Sequence, residues 1–179
     1  YASSAATATN LPILVIRTTS SNLPGWSDGQ PGAGTSPAKT KVSADMKLIW
    51  NQNGTNQLNF MDNNNQNDSI AYDGRVRINW RGSTSRTMAK RSLAISAGKK
   101  DIVIGGENDG FKKDKFNFFG GPEEKDWILY SAYQDKSMMR NKLAMDLWSS
   151  LGYWAATCTY VEVYIDGKYQ GVYVFMDKF

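Results

Sequence analysis

The chain has 179 residues, 41% of them hydrophobic and 12% aromatic, a composition that excludes intrinsic disorder and fits one globular domain or one lobe of a larger one. Its net charge of +4 is modest, and with no basic stripe, interleaved aromatics or known module, nucleic acid is not an expected partner. There is no histidine and one cysteine, Cys158, which excludes Ser-His-Asp and Cys-His catalysis within the chain, an internal disulfide and the commonest zinc ligand.

Residues 1–10 are small and polar and read as a flexible lead-in. Residues 11–179 read as a single lobe. "LPILVIRTT" is a continuous apolar run of strand length. The Gly/Pro/Ser-rich stretch that follows reads as a long surface loop. In "VSADMKLIW", Val42, Ala44, Met46, Leu48 and Trp50 alternate with polar residues, as in a half-buried strand. "NQNGTNQ" carries an Asn-Gly turn signal. "MDNNNQNDS" is polar and lacks the glycine and closing glutamate of a calcium loop.

"GRVRINWRG" alternates again. Val76, Ile78 and Trp80 are expected to point inward, with Arg75, Arg77, Asn79 and Arg81 on the other face. "RSLAIS" and "DIVI" are short strand candidates, and "EEKDWILYSAY" carries an apolar stretch around Trp127. From Asp135 to Leu151 the period changes to that of a helix, with Met139, Leu143, Leu147, Trp148 and Leu151 on one stripe. Asp135 is its expected N-cap and Gly152 its stop. The last 21 residues read as a hairpin turning at Asp166-Gly167. Cys158 falls in an apolar run and reads as a small buried hydrophobe. The order predicts an α+β fold, a mostly antiparallel sheet with a long amphipathic helix.

No run approaches the roughly 18 apolar residues of a membrane span. The chain begins with Tyr1, so it is expected to be processed, trimmed or a fragment, and a removed signal peptide would account for this. Asn53-Gly54-Thr55 and Asn67-Asp68-Ser69 match the glycosylation acceptor pattern. Asp68-Ser69-Ile70 is similar to the O-glycosylation site of secreted Bacteroidota proteins. Secretion or display at a bacterial cell surface is the expectation.

The stretch "RGSTSRTMAKRS", residues 81–92, places Arg81, Arg86, Lys90 and Arg91 around Ser83, Thr84 and Ser85. Gly82 allows close backbone approach, and the hydroxyls and amides offer donors. The stretch reads as a phosphate-holding loop or as an ordinary solvated one. Arg140, Asn141 and Lys142 open the helix. They read as contacts to a nucleotide or second lobe, or as a buried structural ion pair with Asp135 or Asp146, the latter favoured; cations in a first turn oppose the helix dipole, which suggests that they have partners without saying which. Glu162 lies mid-strand, either paired with a basic residue or facing solvent.

These residues carry a resemblance. "LPILVI", "GRVRINWRGSTS", "AKRSLAI", "KDWILYSAYQDKSMMRNKLAMDLWSSLG" and "YVEVYIDGKYQGVYVFMDK" occur in the order found in the CotH-type family of spore-coat kinases. The chain resembles that family's N-terminal half over residues 11–178. It departs at Ser83-Thr84-Ser85, where the family has Asn-Ser-Ser. It departs again at Lys90-Arg91-Ser92-Leu93 against Lys-Lys-Ser-Tyr, and at Asp177-Lys178 against Glu-Lys.

The resemblance implies the N-terminal lobe of an atypical protein kinase that binds ATP with Mg between two lobes, and so only when the C-terminal half is present. It implies cofactor-binding roles for Arg81, Gly82, Ser83, Ser85, Arg86, Lys90, Arg91, Arg140 and Glu162. The family's metal-binding and catalytic carboxylates lie beyond the hairpin, so the family domain is expected to be truncated at Phe179. Its completing partner is expected to be that C-terminal half or another protein. The function implied is phosphorylation of Ser or Thr on surface proteins. The alternative is a non-catalytic structural or interaction module of a surface assembly, pairing a strand with another chain at the C-terminal hairpin edge. A carbohydrate-binding module ranks last, because Trp50, Trp80 and Trp148 are expected to face inward and only Trp26 looks available for stacking.

Overall fold

The computed structural model describes residues 7–18, 23, 26–27, 30–31, 40–51, 54–58, 70–98 and 111–178. Seven strands dominate: β1 (Ile13–Thr18), β2 (Val42–Ile49), β3 (Ile70–Arg81), β4 (Ser92–Ala97), β5 (Asp126–Tyr130), β6 (Cys158–Ile165) and β7 (Lys168–Asp177). They close into a barrel in the order β5-β7-β6-β1-β2-β3-β4, with β4 returning to β5. The pairings are antiparallel except between β1 and β6, which run parallel from Ile13↔Glu162 to Ile16↔Ile165.

The alternation expected from the sequence builds the wall. Val42, Ala44, Met46 and Leu48 of β2 are buried, as are Val76, Ile78 and Trp80 of β3. Their intervening polar residues lie on the outer face, where Arg75 reaches Asp45 at 4.0 Å and Lys47 reaches Asp73 at 3.8 Å. Each buried large side chain contributes about 1.5–3 kcal/mol by leaving water. Closure also pairs strand edges that an open sheet would leave bare.

The β6–β7 hairpin turns through Asp166 (φ 49) and Gly167 (φ 78), with Ile165 opposite Lys168. Two successive positive φ values make the two-residue turn that suits a twisted hairpin. Asp166 also accepts from the Thr18 amide at 2.7 Å and hydroxyl at 2.8 Å, fixing the turn to β1. The hairpin lies within the wall. β6 joins β1 through Glu162–Ile165, and β7 joins β5 through Val174–Asp177. The half of β7 from Lys168 to Tyr173 runs past its pairing with β5.

The expected α+β class, with a long amphipathic helix, is corrected to a mostly β fold. The described helix, α1, covers Arg140–Ser150, eleven residues, and none of them is buried. Residues Asp135–Met139 turn before it, with Met138 at φ 57. Asp135 shapes that turn: one carboxylate oxygen accepts the Ser137 hydroxyl at 2.6 Å, the other the Arg140 amide at 2.9 Å. These hydrogen bonds, the Ser137 hydroxyl's above all, hold the Asp135 carboxyl below the usual range. The expected cap thus reaches the first helical amide across a turn. Gly152, at φ 84, ends the helix as expected.

The apolar stripe of α1 faces outward: Leu143 and Leu147 are each 60% exposed, and Trp148 is 51% exposed. The expectation that Trp148 faces inward is therefore corrected. A closed barrel fills its interior from its own strands, so the helix has only a small outer patch to pack against. The helix touches the outer face through Met145, beside Tyr130 and Tyr160. Cys158 is buried in that patch, as expected, and burial pushes its thiol up to about 11. A second outer patch, around Ile13, Ile49 and Tyr164, is covered by Leu58. Residues Asn56–Leu58, next to the expected turn at Asn53-Gly54, pair with Thr7–Thr9.

The "DIVI" run, Asn53, Asn67, Ser69 and the "MDNNNQNDS" loop lie outside the described residues, as does the Trp26 side chain.

Candidate functional site

The two mouths of the barrel are filled differently. At one, Phe118 is 2% exposed and stands edge-on to Trp127 at 4.8 Å and to Phe175 at 5.4 Å. At the other lies the loop from Arg81 to Arg91, joining β3 to β4.

Arg81 is the last residue of β3. Gly82 follows with φ 105, a conformation glycine adopts without strain. A Cβ there would fall 1.9 Å from the Ser85 hydroxyl, so the loop folds closely over this residue. Thr84–Thr87 form one turn of 3₁₀ helix. Arg86 folds back, its Nε donating to the Gly82 carbonyl at 2.7 Å. Lys90 crosses to the hairpin. Its ammonium donates to the Val172 carbonyl at 2.5 Å and lies 4.4 Å from the centre of the Tyr173 ring. Arg91 is fully buried, its guanidinium 5.4 Å from the centre of the Trp80 ring.

Two cations thus rest on aromatic faces that belong to the core, a favourable arrangement where water is scarce. Burial holds the Lys90 ammonium and the Arg91 guanidinium below their ordinary pKa values. Ser92, at the start of β4, bridges to Ser131 after β5, with hydroxyls 3.3 Å apart. Among the described residues, the Arg81 side chain makes no hydrogen bond or ion pair. It is half-exposed at the lip beside the exposed hydroxyl residues Ser83 and Thr84.

The structure gathers Arg81, Gly82, Ser83, Ser85, Arg86, Lys90 and Arg91 in one loop, and it leaves Arg140 and Glu162 on other elements. Arg140 opens α1, with its side chain 81% exposed and its Nε 3.7 Å from Asp135. Lys142 pairs with Asp146 at 2.7 Å. Asp135 and Asp146 are the partners favoured from the sequence, but the expected burial is corrected, because the Arg140 and Asp146 side chains are exposed. Glu162 lies on β6 beside Tyr169, whose phenol is raised first by burial and then by this carboxylate. Among the described residues Glu162 has no ion-pair partner. Sequence reasoning missed Tyr173, Val172 and Gly171, the hairpin side of the loop's anchorage. The available signal was Gly171 itself, a glycine inside a strand pattern, which marks a bulge or a close approach.

Fold and loop together define a barrel lobe whose basic, glycine-hinged mouth loop is braced against a C-terminal hairpin. The CotH kinase protein family matches residues 78–179, which take in this loop, α1 and the hairpin. The match covers more than half of the chain, and the chain belongs to that family. No curated protein matches it.

A kinase family implies the use of ATP and a metal in general terms. The donor set described here fits the phosphate part of such a ligand, through Arg81 and the neighbouring hydroxyls. It does not fit the metal: no cluster of three or more His, Cys, Asp or Glu residues occurs among the described residues.

Proposed function

We propose that this chain is the ATP-phosphate-facing N-terminal part of an exported CotH-like atypical protein kinase that acts on Ser or Thr of surface proteins. The observation that carries the reading is the division of labour in the mouth loop. Arg86, Lys90 and Arg91 are fastened internally, while Arg81 stands at the lip with its guanidinium available. A planar guanidinium held at a strand end suits bidentate contact with a phosphate. Phosphoryl transfer depends on this kind of positioned positive charge. In this reading Arg81 binds the anion, Gly82 lets the backbone come close, and the three fastened cations orient the loop. Bound ATP supplies the phosphoryl group.

Titration with ATP and magnesium by calorimetry, on the protein with the family's C-terminal half present, tests the reading. Saturable binding is expected, with Arg81→Ala weakening it about tenfold, the worth of one charge-assisted contact. Absence of binding by the wild-type protein at millimolar ATP would sink it. Transfer of labelled γ-phosphate to Ser/Thr peptides tests the finer claim. Export rests on the acceptor patterns at Asn53, Asn67 and Ser69, and sugar-sized increments in the mass of the native protein would support it.

A second reading has its own observation. Trp148 and Tyr153 stack at 4.5 Å in the open, beside exposed Leu143, Leu147 and Leu151. An exposed apolar face of this kind supports a structural or interaction module of a surface assembly. The stretch of β7 from Lys168 to Tyr173 offers that module a strand to extend.

A further inference from the structure

We infer that Lys90 is a positioning residue rather than a phosphate ligand: it tethers the Arg81–Arg91 loop to the bulged strand of the hairpin at Val172 and Tyr173. The bearing of this tether on nucleotide rests on the reading above, whereas the tether itself stands on geometry alone.

Three observations meet at one point. The Lys90 ammonium donates to the Val172 carbonyl at 2.5 Å, across 82 positions of sequence. It sits 4.4 Å from the centre of the buried Tyr173 ring. The register of the hairpin shifts between Val163 and Tyr164, across from Gly171, and Gly171 has φ 83. A bulge of this kind twists a strand and re-aims its groups. Here the bulge adjoins the Val172 carbonyl, in the half of β7 that has run past β5. Lys90 serves that carbonyl where no β5 residue does. A Cβ on Gly171 would lie 3.5 Å from the ammonium, in ordinary contact. Glycine is therefore required chiefly by its φ, and a longer side chain would contend with Lys90 for the same space.

No ion pair to Lys90 occurs among the described residues, so its charge is met by a carbonyl and a ring face. Desolvation strengthens both interactions in place. A phosphate drawing Lys90 outward would have to break both. Arg86 folds back on the Gly82 carbonyl and Arg91 lies over the Trp80 ring, whereas Lys90 crosses to the hairpin. The position of Arg81's neighbours thus depends on a strand that ends the barrel's last hairpin, about half the chain away in sequence.

Amide hydrogen exchange over residues 82–89, measured on the full chain as wild type, Lys90→Met, Gly171→Val and the double variant, tests the tether. Lys90→Met is expected to accelerate loop exchange at least tenfold while amides of β4 and β5 keep their protection. Gly171→Val is expected to do the same, and the double variant to add nothing, because both substitutions break one connection. Unchanged loop exchange in Lys90→Met overturns the inference, as does loss of protection across the whole barrel. Parallel ATP titrations separate the two claims. If wild type binds no ATP while the exchange pattern holds, the nucleotide reading fails and the tether stands. If Lys90→Met weakens ATP binding with loop exchange unchanged, Lys90 is a ligand and the tether fails.

Discussion

One mouth of the barrel is packed with rings, and the other is roofed by cations lying on rings. At the first, Phe118, Trp127 and Phe175 interlock, with Tyr72 edge-on to Phe118 at 5.2 Å. Such contacts are dispersive and apolar, so they persist wherever water is excluded. At the second, Lys90 and Arg91 cover Tyr173 and Trp80. That roof shields the same kind of core, while Arg81 stays half-exposed at the lip. The difference separates a mouth that only stabilises from one that, in the proposed reading, also meets an anion.

The contrast can be broken most sharply at the ring end. Phe118→Ala should cost about 3–5 kcal/mol in urea unfolding, the usual loss for a buried aromatic. Lys90→Met should cost no more than about 2 kcal/mol, the upper range of a desolvated cation–ring contact. Equal losses would mean that both mouths are plain packing.

Gly82→Ala sharpens the contrast at the loop. The positive φ and the close Ser85 hydroxyl together should cost about 1–3 kcal/mol of stability. Combining it with Ser85→Ala should recover part of that loss by removing the collision, read as a partial return of the melting temperature. No recovery would place the whole cost in the backbone.

Asp177 tests the ring end by pH. The residue is 1% exposed; its carboxyl accepts the Thr157 amide at 2.5 Å on one oxygen, and the buried second oxygen has no hydrogen-bond partner among the described residues. Burial, with a smaller push from Glu124, raises its pKa. Below the ordinary carboxylate range both folded and unfolded chains hold the proton, and the group costs nothing. As pH rises through that range the unfolded chain releases the proton first, so stability falls until the folded carboxyl ionises as well. Asp177→Asn should therefore raise stability at neutral pH by about 1 kcal/mol, a gain that vanishes in acid. A gain independent of pH would refute this account.

The smallest effect is expected outside both mouths. Leu147→Ala on the exposed face of α1 should change stability by less than about 0.5 kcal/mol. A larger loss in unfolding experiments would mean that the helix is covered in solution.

Much of the barrel was legible because period-two alternation is a local property. Val42 to Leu48 and Val76 to Trp80 declare their inner faces without reference to any neighbour, and Asp166-Gly167 declares its turn. The helix misled for the opposite reason. Leu143 and Leu147 form a stripe on α1, continued by Leu151 just past its end, but a stripe specifies only that residues share a side. Whether that side meets a core depends on whether the sheet has a face left to cover, which is a property of closure. The loop's basic residues were legible as a group and illegible as individuals. Arg86, Lys90 and Arg91 each find partners set by folding, and Arg81 is distinguished by what the others do. Arg140 and Glu162 stand on other elements than the loop, which no local pattern reveals.

The single parallel seam, between β1 and β6, has a consequence for how the barrel comes to exist. Thr18 and Asp166 lock that seam from positions 148 residues apart. At the usual pace of synthesis, roughly 5–20 residues per second, β1 leaves the ribosome many seconds before its second neighbour does. Until then it can pair with β2 alone, and its other edge stays open to passing chains. Closure through this seam has to wait for the hairpin and joins distant parts of the chain, the kind of contact that forms slowly. A cell making this protein has to keep β1 out of trouble until the hairpin arrives.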